Sequence, residues 1–232
     1  RDSTYTNVIA ETEKEFFDKP RFAVSRTNEV TNTSGAKTSK FQLSLNTESP
    51  YLSPVIDLSR KSSLFVQNII NNDSTNEHTR YGNAITKYIS RNVTLDENIG
   101  DAEDLNVYLG AYRPVGTDIK VYVKLLGSDD GDVFDEKLWT ELTPTTGSSV
   151  LYSSTIDTSD YKEFSYNLPT SAGVTVGSAT TAYTSNGIVQ YARSDGSIVE
   201  GFKTFCFKVV LLGEDSHRVP HLNDIRCIAL QK

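Results

Sequence analysis

The sequence predicts an all-β fold, a jelly-roll-like antiparallel β-sandwich of about ten strands with long polar loops. Three observations predict it. From Phe41 onward apolar residues recur with a period of two. Helical periodicity is almost absent, the exception being a short candidate at Ile9 to Phe17 that nothing follows up. Strands of this number and length can bury their apolar faces only as two packed sheets or a closed barrel.

The elements follow in chain order. Asn28 to Lys40 is polar, holds a central Gly and shows no apolar periodicity, so residues 1–40 read as an extended arm or linker and residues 41–232 as the sandwich domain. Phe41, Leu43 and Leu45 alternate with polar residues, and Ser63 to Ile70 is an apolar run of β-formers. Ile89, Arg91, Val93 and Leu95 share a face of the next strand. Leu105, Val107, Leu109 and Ala111 share another, and Ile119, Val121, Val123 and Leu125 a third, opposite Lys120, Tyr122 and Lys124. Between the last two lies Arg113-Pro114-Val115-Gly116-Thr117-Asp118. Pro presets φ for a turn and Gly accepts a positive φ, which predicts a hairpin of strands 105–112 and 118–126. Further strands are expected at Leu138–Leu142, Glu163–Leu168, Gly187–Ala192, Phe202–Leu212 and Asp224–Leu230. Residues 143–160 and 169–198 are rich in Ser, Thr and Gly and read as long loops or excursions. No internal repeat of fixed period is present.

Composition narrows the function classes. The net charge of −7 opposes nucleic-acid binding, which needs clustered Lys and Arg to displace counterions. No apolar run approaches the roughly 18–20 residues of a membrane helix, so membrane insertion through a helix is not expected. With Arg1 at its start and no Met, the sequence reads as a processed chain or a piece of a longer polypeptide. Cys206 and Cys227 each sit in an apolar run and read as buried free thiols, a bridge between neighbouring strands being the rival.

Four chemistries bear on the residues present. Asp129, Asp130 and Asp132 surround Gly131, a weak calcium candidate, because carboxylates in a turning loop suit that ion. The spacing is not that of an EF-hand, and a solvated acidic turn after the 118–126 strand is favoured. His217 and His221 are separated by a segment containing Pro220, which removes helical i,i+4 placement, and His78 lies in a polar loop; all three read as surface histidines. No nucleophile elbow, catalytic Cys–His pattern or phosphate-cradling glycine motif occurs, so no catalytic residue, cofactor or enzymatic activity is expected. Aromatic sugar binding is the serious rival: Tyr152, Tyr161, Tyr166, Tyr183 and Tyr191 lie in loop-rich sequence, and Trp139 alternates with Leu138 so as to point outward. Trp139, Tyr152, Tyr183 and Tyr191 are the candidate glycan contacts, against the plainer reading that Tyr is a good strand residue.

Three segments carry a resemblance. The first is Ser49-Pro50-Tyr51-Leu52-Ser53-Pro54-Val55-Ile56-Asp57-Leu58-Ser59-Arg60, leading into Val66 to Asn71. The second runs from Ala102 through Ala111-Tyr112-Arg113-Pro114 and Gly116-Thr117-Asp118-Ile119 to Lys124, closing with Phe134-Asp135-Glu136-Lys137. The third comprises Tyr161 to Phe164, Phe202 to Phe205, and Val219-Pro220 with Asp224-Ile225-Arg226-Cys227-Ile228-Ala229-Leu230. Together they resemble large virion structural proteins from the tail and baseplate region of contractile-tailed phages, particularly those of marine cyanobacteria. The resemblance covers roughly residues 41–232 and implies a β-rich, non-enzymatic building block present in multiple copies. Its expected partners are other virion proteins and further copies of itself, its expected location the virion after assembly in the host cytoplasm. A receptor-binding module for host-surface glycans is the alternative. The motifs themselves read as architecture: Asp57 and Arg60 flank a turn and can pair, Arg113-Pro114 fixes a hairpin with Asp118 capping its turn, and Asp224 and Arg226 share a face of the last strand. The stretch 170–200 lies outside the resemblance.

Overall fold

A computed structural model of the chain describes residues 42–55, 69–72, 77, 80, 82–155, 157–214 and 218–231. The chain divides into two compact units, Arg1–Gln67 and Asn68–Lys232. In the first, residues 42–55 form neither strand nor helix, and their hydrogen bonds are local, such as Leu52 N to Ser49 O at 3.3 Å. Leu43 and Leu45 are exposed. The strand expected at 41–45 is therefore not formed over its described part: alternation marks a face, but a strand also needs a neighbour for its backbone N–H and C=O groups. The arm at 1–40, the Asp57–Arg60 pair, most of the 63–70 run, His78 and His217 lie outside the described residues. Ile69 and Ile70 carry no strand.

The second unit is all-β, with fourteen strands among its described residues. One sheet is built from β1 (Lys87–Ile89), β2 (Val93–Thr94), β4 (Thr117–Leu126), β5 (Thr140–Glu141) and β13 (Thr204–Gly213), in the order β1-β13-β4-β5 with β2 also on β13. The facing sheet contains β3 (Asp104–Tyr112), β6 (Thr143–Pro144), β7 (Lys162–Asn167) and β14 (His221–Leu230), in the order β14-β3-β7-β6. Every pairing is antiparallel; β14 carries a bulge between Leu222 and Asp224. The expected 143–160 loop holds β6 and one helical turn, α1 (Thr146–Ser149). The expected 169–198 loop is largely folded, into a ribbon of β8 (Thr175–Val176) with β9 (Ala179–Thr180) and a sheet of β10 (Tyr183–Ser185), β11 (Ile188–Ala192) and β12 (Ile198–Glu200). Val189, Tyr191 and Val199 of that sheet join the main core. β11 is the strand expected at Gly187–Ala192; β8, β9, β10 and β12 are hidden by composition, since Val199 is their one buried residue.

The core lies between the two large sheets. Leu105, Val107, Leu109 and Ala111 of β3 and Phe164 and Tyr166 of β7 meet Ile119, Val121, Val123 and Leu125 of β4 and Phe205, Phe207 and Val209 of β13. The β3 and β4 faces are the ones the alternation marks. The predicted hairpin, however, is not one. β3 pairs with β14 and β7, whereas β4 pairs with β13 over ten residues, from Thr117↔Gly213 to Leu126↔Thr204. The turn itself forms where Pro and Gly place it: Thr117 N donates to Pro114 O at 3.1 Å, and Gly116 has φ +85°. The chain then crosses between sheets instead of folding back within one, so the apolar faces of β3 and β4 oppose each other across the core.

Arg113 holds this crossing. Its side chain is buried. Nη2 donates to Ser148 O (3.0 Å), Ser149 O (3.1 Å) and Leu151 O (2.6 Å), Nε to Leu151 O (3.2 Å) and Nη1 to Asp118 Oδ1 (3.3 Å). The guanidinium carbon lies 4.8 Å from the centroids of both Tyr152 and Phe164. The backbone of Arg113 is tied to Ser153, whose N–H donates to Arg113 O at 2.8 Å. These bonds take up the carbonyls at the end of α1, which no intrahelical donor can reach. The Arg113-Pro114 and Asp118 positions thus are architectural, in a corner between sheets and not a hairpin. Arg113→Ala removes the donor contacts to Ser148, Ser149, Leu151 and Asp118, of which Ser148 O keeps Leu151 N and Asp118 keeps Ile119 N and Lys120, and is expected to cost about 1–3 kcal/mol. Urea unfolding of the two proteins measures it; a loss below about 1 kcal/mol, the scale of an exposed pair, would show that the corner does not depend on the guanidinium.

Candidate functional site

The acidic turn after β4 was the weak calcium candidate. It is organised by an ammonium group instead. Lys137 Nζ contacts Asp130 Oδ2 and lies 2.7 Å from Asp132 Oδ2. Asp130, whose carboxylate is wholly buried, also accepts from Tyr191 Oη at 2.6 Å. Asp132 accepts from Ser194 Oγ at 2.5 Å and Ser194 N at 2.9 Å. Gly127 N donates to Tyr191 Oη at 2.8 Å. Asp129 is drawn in through its backbone, its carbonyl accepting from Arg193 Nη1 at 3.3 Å. Among the described residues no group of three or more His, Cys, Asp or Glu is placed to hold a metal. The network instead fastens the β10–β12 excursion to the end of β4, which a solvated turn would not do. The Lys137 and Ser194 hydrogen bonds hold the Asp132 carboxyl well below the usual carboxylate range. Burial, reinforced by the hydrogen bond to Asp130, pushes the Tyr191 phenol upward.

The four candidate glycan aromatics do not share one exposed surface. Trp139 and Tyr191 are buried. Tyr152 is half exposed with Arg113 against its ring, and Tyr183 is half-buried on β10. Trp139 does point away from the main core, as its alternation with Leu138 indicates, but a second layer covers it. That layer contains Ala84, Tyr122, Trp139, Cys206, Val210 and Leu212, with Phe134 against it. It packs on the outer face of β4 and β13, and the 3-10 turn Phe134–Glu136 belongs to it.

Two lysines enter this outer layer. Lys208 is 1% exposed; its Nζ donates to Glu77 O at 2.8 Å, lies 3.1 Å from Glu77 Oε2, and sits 4.7 and 4.6 Å from the ring centroids of Tyr122 and Trp139. Gly82 permits this approach: a Cβ there would stand 2.6 Å from Glu77 Oε2 and 2.7 Å from Lys208 Nζ. Lys124 Nζ donates to Asp135 O at 2.6 Å and lies 5.1 Å from the Trp139 centroid. The signal for this layer is present in the sequence as a lone Lys inside the apolar run Phe205 to Leu212.

Cys206 and Cys227 are free thiols. Cys206 belongs to the outer layer and Cys227 packs against the main core from the other sheet, so they cannot bridge neighbouring strands. Burial pushes their thiols up to about 11 and about 12 respectively. His221 opens β14, its ring 5.5 Å from that of Tyr112. On the outer face of the same sheet Arg226 pairs with Asp224 at 3.2 Å and with Glu163, and stacks on Tyr108. β14 has one strand neighbour among the described residues, β3, and exposes Ile228 and Leu230. One side of this ten-residue strand is unpaired among the described residues.

No protein-family model, curated protein or solved structure matches the chain.

Lys137→Met leaves the buried Asp130 carboxylate without its cation and is expected to lower stability by about 3–5 kcal/mol, with Lys137→Met/Asp130→Asn recovering part of the loss. A double-mutant cycle by urea unfolding checks this, and millimolar calcium is expected to leave the wild-type Tm unmoved. The pH response has a definite sign. A carboxyl depressed in the folded state stabilises above its unfolded value near pH 4 and ceases to do so as pH falls through the folded value, so stability declines on acidification below about pH 4. Asp132→Asn is expected to flatten that decline in a Tm-versus-pH series; an unchanged slope would refute the role given to Asp132.

Proposed function

We propose that the chain is a non-enzymatic structural module of a tailed-phage virion, from the tail or baseplate region, that works through protein–protein contacts. The observation that carries the reading is where the resembling segments fall. Arg113 and Asp118 hold the corner between the sheets, and Lys137 anchors the acidic turn. Asp224-Ile225-Arg226-Cys227-Ile228-Ala229-Leu230 forms the strand whose far side is unpaired among the described residues. Segments that build joints and an open edge suit a subunit made to be assembled. Strand addition at β14 supplies main-chain hydrogen bonds, with Ile228 and Leu230 as side-chain anchors, and its partners are further copies of the chain or other virion proteins.

Immunogold electron microscopy on phage particles from the source lysate, with antibody to the purified chain, tests the reading. Gold at the tail end of the particles is the expected result. Gold absent from every particle, with the protein free in the medium or on cell surfaces, would refute it.

A further inference from the structure

The outer face of the β4–β13 sheet contains a cavity of about 360 Å³. Arg80, Lys87, Lys124 and Lys208 line it, beside Trp139 and the polar Asn92. Four cations there face two carboxylates, Asp135 in the lining and Glu77 on Lys208. Glu77 is committed to Lys208, and Lys124 bonds the backbone carbonyl of Asp135. Lys87 Nζ donates to Ala84 O at 2.8 Å. Among the described residues none of Arg80, Lys87 and Lys124 forms an ion pair with a carboxylate. Arg80 Nε is buried and makes no hydrogen bond.

In a chain of net charge −7 such a concave cluster of cations is out of keeping with the whole. Its cost is plain in the ammonium groups themselves. Burial depresses Lys124, with repulsion from Arg80 adding to it against the pull of Cys206 and Asp135. Burial depresses Lys208 as well, with Lys87 and Lys124 adding to it against Glu77. Cations without a carboxylate partner among the described residues, in a partly desolvated cavity, favour a ligand that brings negative charge.

We infer that this cavity is an anion-binding site, taking a phosphate, sulfate or carboxylate group through Arg80, Lys87 and Lys124. The planar guanidinium of Arg80, which lines the cavity, binds oxygens of the anion, and the ammonium groups act as point charges on the others. The volume lies in the range of small-ligand pockets and holds roughly a dozen waters, enough for a monosaccharide-sized molecule. Trp139, Phe134 and Ile89 give the site an apolar wall. Two sources of the same chemistry fit, a free inorganic oxyanion and an acidic sugar. The inference does not rest on the virion reading.

Trp139 is the only tryptophan of the chain and reports directly on this site. The full chain is titrated with sodium phosphate and, separately, with sodium glucuronate, at ionic strength held constant with sodium chloride. A saturable change in Trp139 fluorescence at millimolar anion or below is expected, accompanied by a rise in Tm. Arg80→Gln and Lys124→Gln are each expected to weaken it at least about tenfold. Lys120→Gln, on the same strand but outside the cavity, is expected to leave it unchanged. Arg80→Gln removes a side chain whose Nε is already unbonded, so its fold, checked by circular dichroism, keeps the test decisive if Lys124→Gln unfolds. Tighter binding of glucuronate than of phosphate, with neutral glucose inert, assigns a sugar acid; the reverse order assigns a free oxyanion. No saturable response to either anion beyond sodium chloride, or a response that survives Arg80→Gln at full affinity, would overturn the inference.

Discussion

The ten-residue ladder between β4 and β13 is the constraint on which the rest of this structure depends. It is buried on both faces. One face closes the main core against β3, β7 and β14. The other must also be covered, because Tyr122, Cys206, Val210 and Leu212 project from it. The covering chain comes from residues around Asn71 and Ala84 and from the turn at Phe134 to Glu136. Asn71 shows how closely this cover is attached: its side-chain amide donates to Thr86 O and Leu211 O, both at 2.8 Å, and accepts from Ile85 N at 2.6 Å. A sheet exposed on one face would have let Lys124 and Lys208 reach water. Covering it brings them into a partly dry layer, where aromatic rings, Glu77 and backbone carbonyls receive them.

The same economy governs the other polar groups of the interior. Arg113 and Lys137 each replace what would otherwise be several separate caps. Arg113 gathers the carbonyls at the end of α1, the Asp118 carboxylate and two aromatic faces. Lys137 gathers two carboxylates, one of which carries Tyr191 in turn. Both join segments distant in sequence: Arg113 reaches residues 148–153, and the Lys137 network reaches residues 191–194.

The assembly reading and the anion site occupy different sheets. The edge that is unpaired among the described residues belongs to β14, and the cationic cavity to the outer face of β4 and β13. The pairing of Arg226 with Glu163 and Asp224 places mixed charge on the outer face of the β14 sheet, where like charges would repel an incoming partner.

Period-two alternation by itself determined the all-β class and the inward faces of β3 and β4, because side-chain direction follows from backbone pleat alone. Pro114 and Gly116 determined a turn, since φ preferences are local. Which strands pair is not local. Arg113-Pro114-Val115-Gly116 serves a hairpin or a crossing between sheets equally well, and the ladder of β4 on β13, some ninety residues away, decided it. The alternation at 41–45 found no partner among the described residues and made no strand there, whereas β11 formed where Gly187 to Ala192 indicated it, and β8, β9, β10 and β12 around it formed without a strong pattern. The candidate site divides in the same way. Asp130 and Asp132 were visible as an acidic turn, but their cation, Lys137, lies beyond the 3-10 turn and reaches them only in the fold. Trp139 and Lys208 were visible as residues, but their shared layer was not, because burial of a sheet's outer face is a property of what packs on it and not of the strand that presents it.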